Sequence, residues 1–166
     1  MDWNWKNKRF VIMSIEVWVI HVGATVFWMF YWIFNAIDKV AAGKPYWAGK
    51  VRVEKMLDYF SSIHLGELWI AKTSLAVIGV LEAFAGILFL ISLWFYLRKR
   101  IQTAHRFFFW GTATGIFIFG GFIMFDIIVG DRAELLEHTT YWMAIMLSWV
   151  VYMLTTKWAC ETDCRV

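Results

Sequence analysis

Two ionisable side chains stand inside apolar runs of this chain, His21 in "VWVIHVGATVFW" and Glu82 in "VIGVLEAFAGILFL". An imidazole and a carboxyl at matching depth can face each other, and pairing removes most of the cost of burying either group alone. One reading makes His21 and Glu82 a proton-accepting or quinone-contacting pair, because quinone reduction needs donors and acceptors that change protonation. The other makes them a polar clamp between two helices, or a contact with a partner subunit. Glu16 precedes His21 by five residues, about 500° of helical rotation and so about 140° off its direction. It shares no face with His21 and is expected to reach toward Arg98, Lys99 and Arg106 at the inner interface.

A second group of ligand-type side chains is expected at the outer ends of the helices: His64, Glu67, Asp126, Asp131, Glu134, Glu137 and His138. His64 with Glu67, and Glu134 with His138, stand three and four residues apart, so each pair shares one side of a helix. His64, Glu67, Asp126, Glu134 and His138 are therefore candidate ligands for a metal ion or haem, since imidazole and carboxylate suit zinc, copper or iron. The alternative is a set of solvated charges at a membrane surface. Bis-histidine haem requires two histidines at one depth. Only His64 and His138 approach that condition, while His21 has no histidine at its level and His105 stands alone at the inner end of helix three. Cys160 and Cys164 with His105 allow a zinc site, against a reduced, solvent-exposed tail.

These groups must be carried by membrane helices. The chain has 166 residues, 61% hydrophobic and 20% aromatic, with one proline, and its mean hydropathy is +0.58. That apolar share exceeds the soluble norm. Four stretches are long and apolar enough to cross a hydrocarbon core, which takes about 20 helical residues. They run from about 10 to 34, 73 to 97, 107 to 129 and 139 to 156. The expected fold is all-α, a polytopic membrane protein with a bundle of four transmembrane helices, forming one domain over residues 1–166. The first segment is too long and too aromatic for a secretory signal, and two cysteines are too few for a disulfide framework.

The net charge of +3 flanks the spans rather than forming a nucleic-acid surface, so no nucleic-acid partner is expected. Lys6, Lys8 and Arg9 precede helix one, and Arg98, Lys99, Arg100 and Arg106 crowd the connection between helices two and three. The positive-inside rule places this loop and both termini in the cytoplasm, with the protein in the inner membrane. The long outer connection, about Asn35 to Lys72, carries Val53, Leu57, Phe60, His64 and Glu67 at three- and four-residue steps, the pattern of a short interfacial helix. Tryptophans mark both interfaces: Trp3, Trp5, Trp94, Trp110 and Trp158 inside, Trp28, Trp32, Trp47, Trp69 and Trp142 outside. Gly79 and Gly86 on helix two, with Gly111, Gly115, Gly120 and Gly121 on helix three, are expected to let backbones approach closely, so these two helices should touch.

The runs "VLEAFAGILFLISLWFYLRKR" and "FGGFIMFDIIVGDRAEL", with "NAIDKV" and "VEKMLDYF", resemble a bacterial family of predicted small integral membrane proteins, domain of unknown function 2165. The resemblance spans roughly residues 10 to 156. It implies that Glu82 occupies the glutamate of the family's helix-two pattern, that Gly86 follows at the family's spacing, and that Gly120 and Gly121 match its helix-three glycines. This chain departs from it with "IVGD" in place of the family's "IGG" turn, and His21 and Cys160 have no counterpart. The family implies the four-helix topology and supplies no activity.

The expected function is that of a small accessory or structural subunit of a larger membrane complex, an oxidoreductase, without catalytic activity of its own. Its partners are membrane lipids, with lipid bound between helices, and other transmembrane subunits. The alternative is a membrane electron- or proton-transfer module that binds quinone, haem or a metal ion. A transporter is a third reading, for which Glu16, His21, Glu82 and Ser148 supply only a thin polar route.

Overall fold

The computed structural model describes residues 15–40 and 52–163, without the side chains of Ile15, Glu16, Val40 and 157–163. Expectations resting on Trp3, Trp5, Trp47, Trp158, Cys160, Cys164 and the Glu16 side chain lie outside the described residues. Five helices are present there: α1 (Ile15–Val40), α2 (Arg52–Ser62), α3 (Leu68–Leu97), α4 (Ile101–Val129) and α5 (Arg132–Asp163). The all-α expectation holds. Three helices, α1 over Val17–Lys39, α3 and α4, are long and apolar enough to cross a membrane. At 32 residues, α5 is long enough, about 48 Å at 1.5 Å per residue. Its hydroxyl and aromatic residues, among them Thr139, Thr140, Tyr141, Ser148 and Tyr152, lower its hydropathy below that of the other three.

Short connections force antiparallel neighbours. Between α3 and α4 the chain reverses in three residues, with Lys99 in the left-handed region at φ 57° and its N–H donated to the Tyr96 carbonyl. Between α4 and α5, Gly130 ends α4 at φ 77°, and the Gly130 and Asp131 N–H groups both reach the Asp126 carbonyl. This is the αL cap that glycine permits without strain. Asp131 then caps α5, its Oδ1 accepting from the N–H groups of Ala133 and Glu134 at 3.0 Å.

In the resulting ring α1 packs on α3, α3 on α4, α4 on α5 and α5 on α1, while α2 lies across α3 and α4 at one end. Helices two and three of the sequence reading, α3 and α4, thus touch as expected. Four of the six packing glycines lie at interfaces. Gly79 faces Lys39, Gly86 faces Ile33 and Trp32 across α1, Gly111 faces Phe89, and Gly115 faces Ile145 and Trp32. Gly120 and Gly121 have nothing within 4 Å of a built Cβ, so they pack against nothing among the described residues. Where lipid is as apolar as the side chains, close approach and dispersion replace the hydrophobic drive.

The element boundaries correct the sequence reading. Helix one continues through Asn35–Lys39, residues whose polarity predicts an outer connection, because Asn35 bonds back to the Tyr31 carbonyl and other helices take up Asp38 and Lys39. That extension puts Trp28 and Trp32 at 1% and 0% exposure, inside the bundle rather than in an interfacial belt. Trp32 is tilted against Phe119 at 4.9 Å between centroids. The short helix expected in the long connection exists as α2 but stops at Ser62. His64 has φ 63° in the following turn, and Glu67 is the N-cap position of α3.

Candidate functional site

His21 and Glu82 do not meet. They stand on antiparallel helices, and the close approach of Gly86 to Ile33 sets Glu82 near the C-terminal end of α1. There Lys39 Nζ donates to Glu82 Oε1 at 2.9 Å. His21 lies 18 residues earlier on α1, about 27 Å along its axis, and belongs to the opposite end of the bundle. The expected pair is thus replaced by two polar clusters, one at each end.

At the α2 end, all five helices line a cavity of about 1190 Å³. Its lining is partly apolar, with Val77, Ile78, Leu81, Phe117 and Phe122, and partly charged. Arg52 Nε on α2 donates to Asp38 Oδ2 on α1 at 2.7 Å, and Lys55 pairs with Glu134 across α2 and α5. Tyr59 donates to Asp131 Oδ2 at 2.6 Å. This bond, followed by the backbone N–H bonds at the α5 cap, holds the Asp131 carboxyl below the usual carboxylate range. Burial, followed by the same hydrogen bond, raises the Tyr59 phenol. Together these contacts dock α2, whose residues are otherwise polar enough to leave the bundle.

Two carboxylates on the cavity wall are almost wholly buried, Glu82 at 1% and Asp38 at 3% exposure. Each uses one oxygen for its cation, and neither Glu82 Oε2 nor Asp38 Oδ1 has a hydrogen-bond partner among the described residues. On the facing wall, His138 Nδ1 lies 2.6 Å from buried Asp126 Oδ2. An ionised Asp126 accepts from Nδ1–H, which fixes the tautomer and leaves Nε2 as a lone pair. Glu134 Oε2 is 3.8 Å from that nitrogen, outside hydrogen-bond range. A carboxylate-oriented imidazole with a free Nε2 is the arrangement of a proton acceptor.

Of the five candidate metal or haem ligands, Asp126, Glu134 and His138 converge and His64 and Glu67 do not. The last two are exposed in the segment between α2 and α3. No group of three or more His, Cys, Asp or Glu side chains among the described residues has the geometry to hold a metal ion. Asp126 and Glu134 are instead committed to His138 and Lys55. Glu137 lines the cavity rim.

The opposite end holds a cluster that sequence reasoning missed. His21, fully buried, has Nδ1 2.9 Å from the Tyr96 hydroxyl and Nε2 2.7 Å from Thr155 Oγ1. Tyr96 also meets the Tyr152 hydroxyl. Thr155 donates its own proton to the Val151 carbonyl at 2.8 Å, so it accepts from His21 Nε2–H. His21 Nδ1 then accepts from Tyr96, and Tyr96 accepts from Tyr152. One direction satisfies every member and joins α1, α3 and α5. His105, which the sequence had left alone, lies edge-on to His21 with centroids 5.6 Å apart. Both His21 nitrogens are engaged, so the two histidines do not present a common pair of free nitrogens to haem.

No family model matches the chain, and no curated protein or solved structure matches it.

Proposed function

We propose that this chain is an integral membrane protein that binds an amphiphilic small molecule in the cavity at the α2 end and exchanges a proton with its head group. The Asp126–His138 pair on the wall of a largely apolar cavity of about 1190 Å³ carries this reading. Ligand cavities generally combine apolar walls with a few oriented polar groups. The tail lies among the aromatic and aliphatic walls, and His138 Nε2 takes up or returns the proton. This is the proton-transfer alternative of the sequence reading, with a quinone-type head as one candidate. In the same proposal α5 is a fourth span. Its exposed face, with Met143, Leu147, Val151 and Leu154, is suited to lipid. The proposed location is an inner membrane with cytoplasmic termini.

The test begins with extraction and mass spectrometry of small molecules that copurify with the full chain in nanodiscs. Proton release on rebinding is then measured by calorimetry in buffers of different ionisation enthalpy. A bound amphiphile whose proton exchange disappears in His138→Gln supports the reading. Absence of any bound amphiphile, or proton exchange unchanged in that variant, overturns it.

A second reading, a subunit of a larger oxidoreductase complex, draws on the open space at Gly120 and Gly121. Small residues of this kind admit a partner helix. Isolation from native membranes without any partner protein would count against it.

A further inference from the structure

Resting on the proposed amphiphile site, we infer that its ligand carries a hydroxyl-bearing aromatic head, seated between Tyr31, Tyr141 and His138. Four half-buried rings of the cavity lining, Tyr31 on α1, Phe122 on α4, and His138 and Tyr141 on α5, form one patch. Phe119, at 1% exposure, backs it. Its centroid lies 6.0 Å from Tyr31, 5.7 Å from Tyr141 and 6.4 Å from Phe122. Tyr31 and Tyr141 are themselves 5.1 Å apart, and Phe122 lies 4.8 Å from His138. A flat aromatic head adds offset or edge-on ring partners to such a patch, whereas an aliphatic head gains only burial.

The polar atoms that border the patch supply the independent observation. The Tyr31 and Tyr141 hydroxyls bond to no described residue. Both stay open to the cavity, unlike the unpartnered oxygens of Glu82 and Asp38, which are shut in and reach no ligand. Asp126 takes His138 Nδ1, so Nε2 is the open acceptor. Tyr141 stands three residues from His138 on α5, on the same side of the helix. The patch thus offers two donors and one acceptor. A phenolic hydroxyl answers both kinds, its O–H donating to Nε2 and its oxygen accepting from the tyrosines. A quinone carbonyl accepts but cannot donate, and an ammonium donates but cannot accept. A phenol ionises at about 10, so its O–H bond can break as the Nε2–H bond forms. The phenolate left behind keeps the tyrosine donors, and the imidazolium keeps Asp126.

The test uses the full chain in phosphatidylcholine nanodiscs and three probes with the same diazirine-bearing dodecyl tail: a dodecylphenol, a dodecylbenzene and a dodecylcyclohexanol. Crosslinked peptides are mapped by mass spectrometry. The phenol should label the cavity segments of α1, α4 and α5 about two- to tenfold more than either analogue, since the benzene lacks the hydrogen bonds and the cyclohexanol the ring contacts. The double variant Tyr31→Phe with Tyr141→Phe keeps both rings and removes only hydroxyls that bond to no described residue, so the bundle is left undisturbed. It should lower the phenol's labelling about two- to tenfold and leave the benzene's unchanged. If the benzene or the cyclohexanol labels the cavity as well as the phenol does, the aromatic-hydroxyl assignment is overturned and the amphiphile site stands. Phenol labelling unchanged in the double variant overturns it equally. If no probe labels the cavity, the amphiphile site itself falls.

Discussion

Gly86 offers a direct measure of how α1 and α3 are held together. A Cβ built there lies 2.8 Å from Ile33 Cγ1, 3.2 Å from the Ile33 backbone nitrogen and 3.5 Å from Trp32 Cβ. Ordinary carbon contacts fall at about 3.5–4.0 Å. Ile33 cannot simply rotate away, since a β-branched residue in a helix has one strongly preferred rotamer, and its nitrogen moves only with α1 itself. Gly86→Ala must therefore separate the helices by several tenths of an ångström, an overpacking cost of about 1–3 kcal/mol. Gly120, with nothing within 4 Å, provides the control. Both substitutions gain the same helix propensity, about 0.5–1 kcal/mol for glycine to alanine. That gain cancels in the comparison and leaves the clash alone. Gly120→Ala should match or exceed the parent, and Gly86→Ala should fall below Gly120→Ala by about 1–3 kcal/mol. The assay is sodium dodecyl sulfate titration in mixed micelles, followed by near-ultraviolet circular dichroism. Equal midpoints for the two variants would refute the close approach.

Lys39→Met should destabilise by about 3–5 kcal/mol, the cost of stranding one member of a buried ion pair, because Glu82 keeps only 2% side-chain exposure. Glu82→Gln should cost less, since Lys39 sits in the last turn of α1 and can extend toward water. The double variant Lys39→Met with Glu82→Leu should approach the parent in the same detergent titration, and a double loss equal to the sum of the singles would sink the pairing. At the opposite end, Tyr96→Phe should cost about 1–3 kcal/mol by stranding His21 Nδ1 as a buried acceptor. Tyr152→Phe should cost less, because it removes only a donor to an oxygen that still donates; the reverse order would overturn the assigned direction. For the α2 dock, the Asp131 carboxyl is held below its ordinary range, so its contribution is complete above its unfolded value of about 3.9. It is lost as pH falls through the lower folded value. Tyr59→Phe should therefore flatten the acid limb of stability below about pH 4, and an unchanged limb would remove Asp131 from the account.

Apolar run length made the helical class and three spans legible, and their ends were hidden for a physical reason. Asn35, Asp38 and Lys39 read as a polar loop, yet each finds a partner within the fold. Asn35 donates to the Tyr31 carbonyl at 2.8 Å, Asp38 accepts from Arg52 and Lys39 reaches Glu82. Polarity in a membrane helix marks a loop only when it is unpaired; Asn35 pairs locally, four residues back in α1, whereas the partners of Asp38 and Lys39 come from other helices and are tertiary facts. The same hidden turns of α1 moved Trp28 and Trp32 from the expected belt to the core. At the candidate site, Asp126 and His138 were legible because the nine residues "GDRAELLEH" fold α5 directly back on α4. The cations were not, because Arg52 and Lys55 belong to an element that reads as surface.

The two ends of the bundle are linked by a single register. With Gly86 against Ile33, the antiparallel arrangement sets Glu82 beside Lys39 at one end and Tyr96 beside His21 at the other. Apolar α1 and α3 faces alone choose a register weakly, because lipid-facing helices lack a hydrophobic penalty for sliding. A slip of one turn moves each partner by about 5.4 Å. It would strand a buried carboxylate and leave a buried imidazole nitrogen unpaired at the same time. The penalties of buried unpaired groups therefore select the register that the glycine contact then tightens. This explains why the ionisable residues stand so far apart in space although both lie within apolar sequence. Each fixes one end of the α1–α3 pair, and the cavity opens where α2 crosses the end that Glu82 fixes.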